Sequence, residues 1–270
     1  GAAKVISALT SAETGFDFNN EVTDPKVLLD QVAAQAGGAA GDYENDGDTD
    51  FFICGLEKPN RLMRNDGAFK FTDVTEESGA NADAAEGASC GAVFADIDGD
   101  KDLDLYVARR TADSLLYIND GSGKFSEEAR ARGATQGYAT IMAAPFDADM
   151  DGDLDLYLCN YAPARQPDGV QEEDRLEFTM GYQPATGKLI LPPDMQDTYY
   201  LDGGGKLRTK PDPDELLVND GKGNFINKLD DAGMFYENNG WSLQALPLDF
   251  NNDGLLDLHV SGDFDTPDHW

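Results

Sequence analysis

An acidic nine-residue segment recurs four times along this chain and constrains the fold more than any other feature. Every copy has Asp at positions 1, 5 and 9 and an oxygen-bearing side chain at position 3, and every copy runs into a short apolar stretch. The copies start at residues 42, 96, 147 and 249, at intervals of 54, 51 and 102 residues. Repeats of about 50 residues with several short strands are the size of β-propeller blades. We therefore predict an all-β, β-propeller-type fold with about four repeats.

A second repeated signal, Asn-Asp-Gly, starts 23 residues after the first Asp of the segment, at Asn65 and Asn119. Because it separates apolar runs and suits a turn with positive φ, it predicts a hairpin. In the third repeat the signal, at Asn219, comes 72 residues after Asp147, which indicates 49 extra residues, placed at 161–213. We favour an insertion over a degenerate repeat that has lost its acidic segment.

The chain is predicted to be one repeat domain over residues 1–270. Its repeats are placed at 37–85, 86–136, 137–235 and 236–270. A fourth Asn-Asp-Gly would be due near residue 272, beyond Trp270, so the last repeat is expected to be truncated and the ring incomplete. The remaining strands would then come from a longer chain or from elsewhere, such as a second chain.

The acidic segments are candidate calcium sites. Calcium binds six to eight oxygen atoms, and a nine-residue loop can supply them from side chains at positions 1, 3, 5 and 9. Position 7 is assigned a backbone carbonyl, because Leu255 occupies it in the fourth segment. A solvated acidic turn is the alternative. However, carboxylates packed this closely repel one another without a cation, and four segments in register favour binding.

About four Ca²⁺ sites are predicted, and magnesium is less favoured because it seldom occupies all-protein cages. The second segment has Gly99 at position 4 and Lys101 at position 6, so we expect an altered turn and a lower affinity there. The predicted ligands are Asp42, Glu44, Asp46, Asp48, Asp50, Asp96, Asp98, Asp100, Asp102, Asp104, Asp147, Asp149, Asp151, Asp153, Asp155, Asp249, Asn251, Asp253, Leu255 and Asp257.

The composition excludes several classes of partner. A formal charge of −32 repels nucleic acid and anionic membrane surfaces. No run approaches the roughly 18 apolar residues of a membrane-spanning helix, so no membrane insertion is expected. Hydrophobic residues make up 40% of the chain, too many for a disordered protein.

We expect no enzymatic activity and assign no catalytic residue. Only His259 and His269 are present, and there is no Gly-x-Ser-x-Gly motif. His259 occupies the strand position held by Tyr106 and Tyr157, which favours a packed or surface strand residue. A secreted hydrolase is a less favoured alternative, because 52 acidic residues offer many carboxylate pairs.

The cysteines and the tyrosines of the insertion leave two points open. Cys54 and Cys159 share one repeat position, which favours small buried strand residues over a disulfide to Cys90 or an inter-chain link. Aromatic residues on a long loop are candidates for a recognition surface, although covering one face of the propeller is an equal alternative. These aromatic residues are Tyr161, Tyr182, Tyr199 and Tyr200.

The Asp-x-Asp-x-Asp-Gly-x-x-Asp segment resembles the FG-GAP/VCBS repeats of integrin-like propellers. Residues 71–79 (Phe-Thr-Asp-Val-Thr-Glu-Glu-Ser-Gly), 41–47 and 263–268 are similar to the ASPIC/UnbV (cartilage acidic protein-like) family in particular. The resemblance covers most of residues 37–270 and implies a seven-bladed, calcium-binding extracellular propeller with roles in adhesion or matrix interaction. The chain departs from that family in having about four repeats.

These observations predict a secreted, calcium-binding repeat scaffold for adhesion, matrix or partner binding. Its partner would be a protein or a glycan. The alternative is a subunit of an extracellular filament or homo-oligomer, completed by strands of a neighbouring chain.

Overall fold

Four-stranded antiparallel sheets are the repeating unit of this protein. The structure is a computed structural model that describes residues 9–20, 36–81, 88–110, 112–135, 139–161, 213–229 and 242–262, together with the backbone of four short strands between 181 and 209. The first sheet contains β1 (Gly38–Gly41), β2 (Asp50–Ile53), β3 (Arg61–Asn65) and β4 (Phe71–Asp73). The second contains β5 (Ser89–Ala95), β6 (Asp104–Arg109), β7 (Leu115–Asn119) and β8 (Phe125–Glu127). Two one-turn helices, α1 (Ser11–Thr14) and α2 (Thr75–Ser78), accompany the first sheet.

The third sheet is assembled from two parts of the chain. It starts with β9 (Thr140–Phe146) and β10 (Asp155–Asn160). Two hairpins follow, β11 (Gly181–Gln183) with β12 (Lys188–Ile190) and β13 (Tyr199–Leu201) with β14 (Leu207–Thr209). The sheet resumes with β15 (Glu215–Asn219) and β16 (Phe225–Asn227), and β10 pairs directly with β15, with Leu156 opposite Leu217. A last pair is formed by β17 (Ser242–Leu248) and β18 (Asp257–Gly262).

The sheets follow one another side by side. Contacts join β1 to β5, β5 to β9, and β9 to β17, so the first strands of successive sheets are neighbours. A cavity of about 470 Å³ lies along these strands and is lined mainly by small and apolar residues, including Gly91, Ala143 and Ala245. The prediction of an all-β protein is confirmed, and the sheets have the strand number and order of propeller blades. The described part of the chain does not show a closed ring.

The second strands of the second and third sheets pack on both of their faces. All six residues of β6 are buried, and so are all six of β10. Because successive strand residues point to opposite faces, Leu105 packs toward the first sheet and Tyr106 toward the third. In β10, Leu156 faces the second sheet and Tyr157 faces the last strand pair. Short continuous apolar runs are therefore the sequence pattern of these doubly buried strands.

Several sequence predictions lie partly or wholly outside the described residues. These are residues 263–268, His269 and most of 161–213, together with the side chains of Tyr182, Tyr199 and Tyr200. Tyr161 is only 3% exposed and belongs to the core between the third sheet and the last strand pair. Of the two alternatives for the tyrosines, an exposed recognition surface is therefore contradicted for Tyr161, because this residue directly follows a doubly buried strand. The division of the chain into repeats stays a prediction.

All three cysteines are buried, as expected for small strand residues. His259 lies on β18, where its ring meets Phe250 edge to face at 6.4 Å. Among the described helices, none is both long and apolar enough to span a membrane.

Left-handed glycines hold the ends of the first and second sheets against the sheet that follows. Gly79 follows α2 with φ of 83°, and a Cβ atom on it would lie 2.5 Å from the carbonyl oxygen of Phe125 in the second sheet. Gly133 approaches the carbonyl oxygen of Phe225 in the same way, and Gly15 approaches that of Phe71. The backbones of neighbouring sheets therefore touch where only glycine fits.

We expect Gly79→Ala to lower the free energy of unfolding by about 3 kcal/mol, since both the positive φ and the close carbonyl oppose a Cβ atom. Urea denaturation of the chelator-treated protein measures this. Gly47→Ala is the matched control, because Gly47 also has positive φ, at 94°, but nothing lies within 4 Å of its Cβ position. Its expected loss is about 1 kcal/mol, from backbone strain alone. Equal losses in the two variants would contradict the inter-sheet contact.

Candidate metal centre

The four acidic segments occupy equivalent places in the four sheets. Each connects the first strand of its sheet to the second, and position 9 is the first residue of that second strand. We call these segments loop 1 (42–50), loop 2 (96–104), loop 3 (147–155) and loop 4 (249–257). Because the first strands of the sheets are neighbours, the repeat sets successive loops next to one another.

Backbone φ is positive at the same two positions in all four loops. These are position 4, in Asn45, Gly99, Met150 and Asn252, and position 6, in Gly47, Lys101, Gly152 and Gly254. Loop 2 has its glycine at position 4 instead of position 6, and Lys101 adopts a φ of 82° where the other loops use glycine. The predicted alteration of the turn in loop 2 is seen in its hydrogen bonds, because Asp96 accepts from the N–H of position 4 and not from those of positions 5 and 6. The lower affinity of loop 2 stays a prediction.

Local hydrogen bonds direct the carboxylates at positions 1 and 5. In loop 3, Asp147 accepts hydrogen bonds from the backbone N–H groups of Asp151 and Gly152, both at 3.1 Å. Loops 1 and 4 repeat this pair, whereas in loop 2 Asp96 accepts from Gly99 at 2.9 Å. The position 5 carboxylate accepts from the N–H of position 7 in every loop. Such Asx-type bonds give each loop its shape before any cation binds.

The carboxylate at position 9 joins its loop to the sheet. Asp104 is fully buried and accepts hydrogen bonds from the N–H of Ile97 in loop 2 at 2.9 Å and from the N–H of Asn119 at the end of β7 at 2.8 Å. Asp50 and Asp155 are buried in the same way and accept two equivalent bonds each. A residue predicted only as a metal ligand therefore also satisfies two backbone donors, one of them across the sheet.

In each of two loops, three Asp side chains lie close together. Asp96, Asp98 and Asp104 of loop 2 have carboxylate oxygens within 4.8 Å of one another. Asp147, Asp149 and Asp151 of loop 3 form a second such triad. The two triads together use positions 1, 3, 5 and 9, the side-chain positions predicted from the sequence.

The electrostatics of loop 2 suit a cation. Burial raises the pKa of Asp104 to about 6. The negative charges of Asp98 and Asp100 also raise it, whereas the hydrogen bonds from the two backbone N–H groups lower it. Burial also raises the pKa of Asp98, whose Oδ2 lies 3.6 Å from Arg132 while its buried Oδ1 has no hydrogen-bond partner. A buried, unsatisfied carboxylate oxygen is costly unless something positive faces it. The donor set is oxygen only, which fits Ca²⁺.

The side chains at position 7 of loops 2 and 3 lie against the hairpin of their own sheet. Asp102 Oδ2 would lie 2.6 Å from a Cβ atom on Gly121, and Asp153 Oδ2 would lie 2.9 Å from one on Gly221. Both glycines belong to the hairpin of the same sheet. The side chain at position 7 therefore covers the hairpin, which agrees with Leu255 standing there in loop 4 and with a ligand role for the backbone carbonyl.

Loops 1 and 4 gather their side chains differently. In loop 1, Glu44 Oε1 lies 3.9 Å from Arg64 Nε, and a carboxylate triad of the kind seen in loops 2 and 3 is not found in this described segment. In loop 4, Asn251 Nδ2 donates to Asp253 Oδ2 at 3.0 Å, and Asp257 accepts from the N–H of Phe250 at 3.0 Å. Metal binding at these two loops stays a prediction.

The hairpin asparagines have a structural role beyond the turn predicted for them. Asn65, Asn119 and Asn219 begin the turns predicted from Asn-Asp-Gly, and the positive φ of the following Gly67, Gly121 and Gly221 confirms those turns. Each asparagine also donates its backbone N–H to the position 9 carboxylate of its own sheet, at 2.7–2.8 Å. The constant spacing of 23 residues in the first two repeats is the sequence feature that reflects this contact, although by itself it predicts only a turn.

Comparison with known sequences identifies the repeat. A profile of FG-GAP-like repeats matches residues 42–107 and 96–158, and each match begins at the first Asp of an acidic loop. The chain contains FG-GAP-like repeats. The resemblance inferred from the acidic segments is thereby confirmed for the first three loops.

A distant relative extends the comparison over most of the chain. Cartilage acidic protein 1 of Homo sapiens is 24% identical to this chain, and the alignment covers 92% of this chain. The chain spans 42% of the length of that relative. The chain therefore carries FG-GAP-like repeats over residues 42–158 and is distantly similar to part of cartilage acidic protein 1.

We expect Asp50→Ala to destabilise the calcium-free protein by about 2–4 kcal/mol, because two backbone N–H groups lose a buried acceptor. Asp48→Ala is the control in the same loop, since it removes the same charge from a position that only covers Gly67. Urea denaturation in excess chelator compares the two variants. Similar small losses would show that Asp50 has no structural role apart from a cation.

Proposed function

We propose that this protein is an extracellular, calcium-stabilised repeat scaffold that binds a protein or glycan partner in adhesion or matrix interaction. The observation that carries the proposal is the pair of Asp triads in loops 2 and 3, whose oxygens lie within 4.8 Å at equivalent positions of adjacent sheets. The buried Asp98 Oδ1 without a hydrogen-bond partner supports a cation in loop 2.

In this proposal the ions serve the fold. Ca²⁺ would be held by the side chains at positions 1, 3, 5 and 9 and by the carbonyl at position 7, and it would supply the positive charge that offsets the repulsion among the carboxylates. The chain carries a net charge of −32, so neutralising its densest clusters favours the compact state. Because only the folded loops bring these oxygens together, cation binding adds to the stability of the folded protein.

The chemistry of such sites supports the proposed extracellular location. Calcium modules outside the cell work with dissociation constants of about 10⁻⁴–10⁻³ M, which suits partly exposed loops of this kind. The name of the distant relative, a cartilage acidic protein, agrees with an acidic protein of the matrix. We also propose that the domain is not catalytic, since carboxylates at positions 1, 5 and 9 are engaged by backbone N–H groups of the loops and strands.

Calcium is expected to raise the melting temperature, and native mass spectrometry should count about four bound ions. At a free calcium concentration of 100 times Kd, each occupied site adds about 2.7 kcal/mol to the free energy of unfolding. We expect Asp98→Asn to remove most of the contribution of loop 2 and to lower the ion count by one. Asp113→Asn, which removes one charge outside the loops where Asp113 pairs with Arg130, should leave the count unchanged.

The calcium proposal fails if chelator leaves the melting temperature unchanged and no ions are counted. It also fails if Asp98→Asn and Asp113→Asn lower calcium binding equally, because only net charge would then matter.

A further inference from the structure

The hairpin asparagines connect the acidic loop of one sheet to that of the next. Asn219 begins the hairpin of the third sheet and is 5% exposed. Its side-chain Nδ2 donates to the carbonyl oxygen of Ile97 in loop 2 at 2.7 Å and to that of Leu154 in loop 3 at 2.9 Å. Its Oδ1 accepts from the N–H groups of Gly221 and Gly223 at 3.2 and 2.9 Å. Both hydrogens of the amide and its oxygen are thus used, so the side chain is held in one orientation.

The same asparagine contacts a predicted ligand of its own sheet through the backbone. Its N–H donates to Asp155 Oδ1 at 2.8 Å. Asp155 is the position 9 carboxylate of loop 3, next to a triad that uses positions 1, 3 and 5 of that loop. In loop 2, the N–H of Ile97 donates to Asp104 Oδ2 at 2.9 Å, and Asp104 belongs to the Asp triad of that loop. A continuous path of hydrogen bonds therefore runs from Asp104 through Ile97 and Asn219 to Asp155.

Asn119 repeats the connection one sheet earlier. Its Nδ2 donates to the carbonyl oxygen of Tyr43 in loop 1 at 2.8 Å, and its N–H donates to Asp104 Oδ1 at 2.8 Å. The N–H of Tyr43 donates in turn to Asp50 Oδ2 at 3.3 Å. The position 9 carboxylates of loops 1, 2 and 3 are thus joined in one series, in which an asparagine amide bridges each gap.

We propose that Asn219 and Asn119 are positioning residues that couple calcium binding in neighbouring loops, so that filling one loop raises the affinity of the next. This inference rests on the proposed function. A cation in loop 3 fixes Asp155, which fixes the backbone of Asn219 and therefore the carbonyl at position 2 of loop 2. Loop 2 is then already ordered when its own cation arrives, and part of the entropy cost of ordering it has been met. Coupling between binding sites is reciprocal, so loop 2 assists loop 3 by the same factor.

Asn65 provides a matched control within the chain. Its N–H donates to Asp50 Oδ1 at 2.7 Å, its Nδ2 donates to Thr49 at 3.1 Å, and its Oδ1 accepts from Gly67. Asn119 and Asn219 make the same bonds within their own sheets, and their Oδ1 atoms also accept from Gly123 and Gly223. In the described part of the chain, Asn65 has no acceptor in another acidic loop. Replacing Asn65 removes the intra-sheet bonds and leaves the paths through Asn119 and Asn219 intact.

The test follows the calcium midpoint of each loop by hydrogen-exchange mass spectrometry of peptides that contain it. Asp151→Asn weakens loop 3 and keeps the oxygen that accepts from Asp153. We expect it to raise the calcium midpoint of loop 2 by about fivefold. Asn219→Asp replaces the donor Nδ2 with an oxygen, so in that background Asp151→Asn should leave the midpoint of loop 2 unchanged. With Asn65→Asp instead, the fivefold shift should persist.

The inference is overturned if Asp151→Asn does not move the midpoint of loop 2, or moves it equally in the Asn219→Asp background. A residue that only stabilised the fold would lower stability without removing this transmission. If wild-type loops fill independently, the inference fails while the proposed calcium binding stands. If no loop responds to calcium and no ions are counted, the proposed function itself fails.

A second comparison applies if Asn219→Asp does not fold. In the Asp151→Asn protein, the midpoint of loop 2 should shift more than that of loop 1, because the path to loop 1 passes through the additional link at Asn119. Equal shifts, or none, contradict the coupling.

Discussion

Buried carboxylates at the starts of β2, β6 and β10 each accept hydrogen bonds from two backbone N–H groups in different segments of one sheet. Asp104 shows the consequence, because one donor lies in the acidic loop and the other at the end of β7. Without these bonds the loop would have no fixed position relative to the sheet, and a desolvated carboxylate would have no compensation. The same group lies near two other carboxylates, so the charge that holds the loop in place also belongs to a cluster that could hold a cation.

Packing between sheets places these carboxylates in register. The second strands of the second and third sheets are buried on both faces, so the side chains of Leu105 and Tyr106 pack into two different neighbouring cores. Left-handed glycines such as Gly79 bring the backbones of adjacent sheets into contact at one edge. The loops therefore repeat at a spacing set by the cores, and loops 1 and 2 each lie within hydrogen-bond reach of the next hairpin.

This arrangement makes the repeat more than a set of separate cation sites. Asn119 and Asn219 donate one hydrogen bond to a carbonyl in the loop of the preceding sheet and another to the position 9 carboxylate of their own sheet. A change in one loop therefore reaches the next through two hydrogen bonds. Repeat proteins in which each unit contacts only its neighbours derive much of their stability from such interfaces. An acidic scaffold of this kind would be stiffened by calcium along its length, which suits a partner-binding role outside the cell.

The acidic pattern and the apolar runs after it determined the strand content and the loop positions at which the Asp triads of loops 2 and 3 lie, because hydrophobic periodicity and oxygen spacing are local properties of the chain. The burial of Tyr161 and the hairpin asparagines as links between sheets were decided only by tertiary structure. Each of these depends on which segment of a neighbouring sheet lies within a few ångströms. Asn-Asp-Gly encodes a turn by itself, but an amide becomes a bridge only when packing places the carbonyl oxygen of Tyr43 or Ile97 opposite its donor.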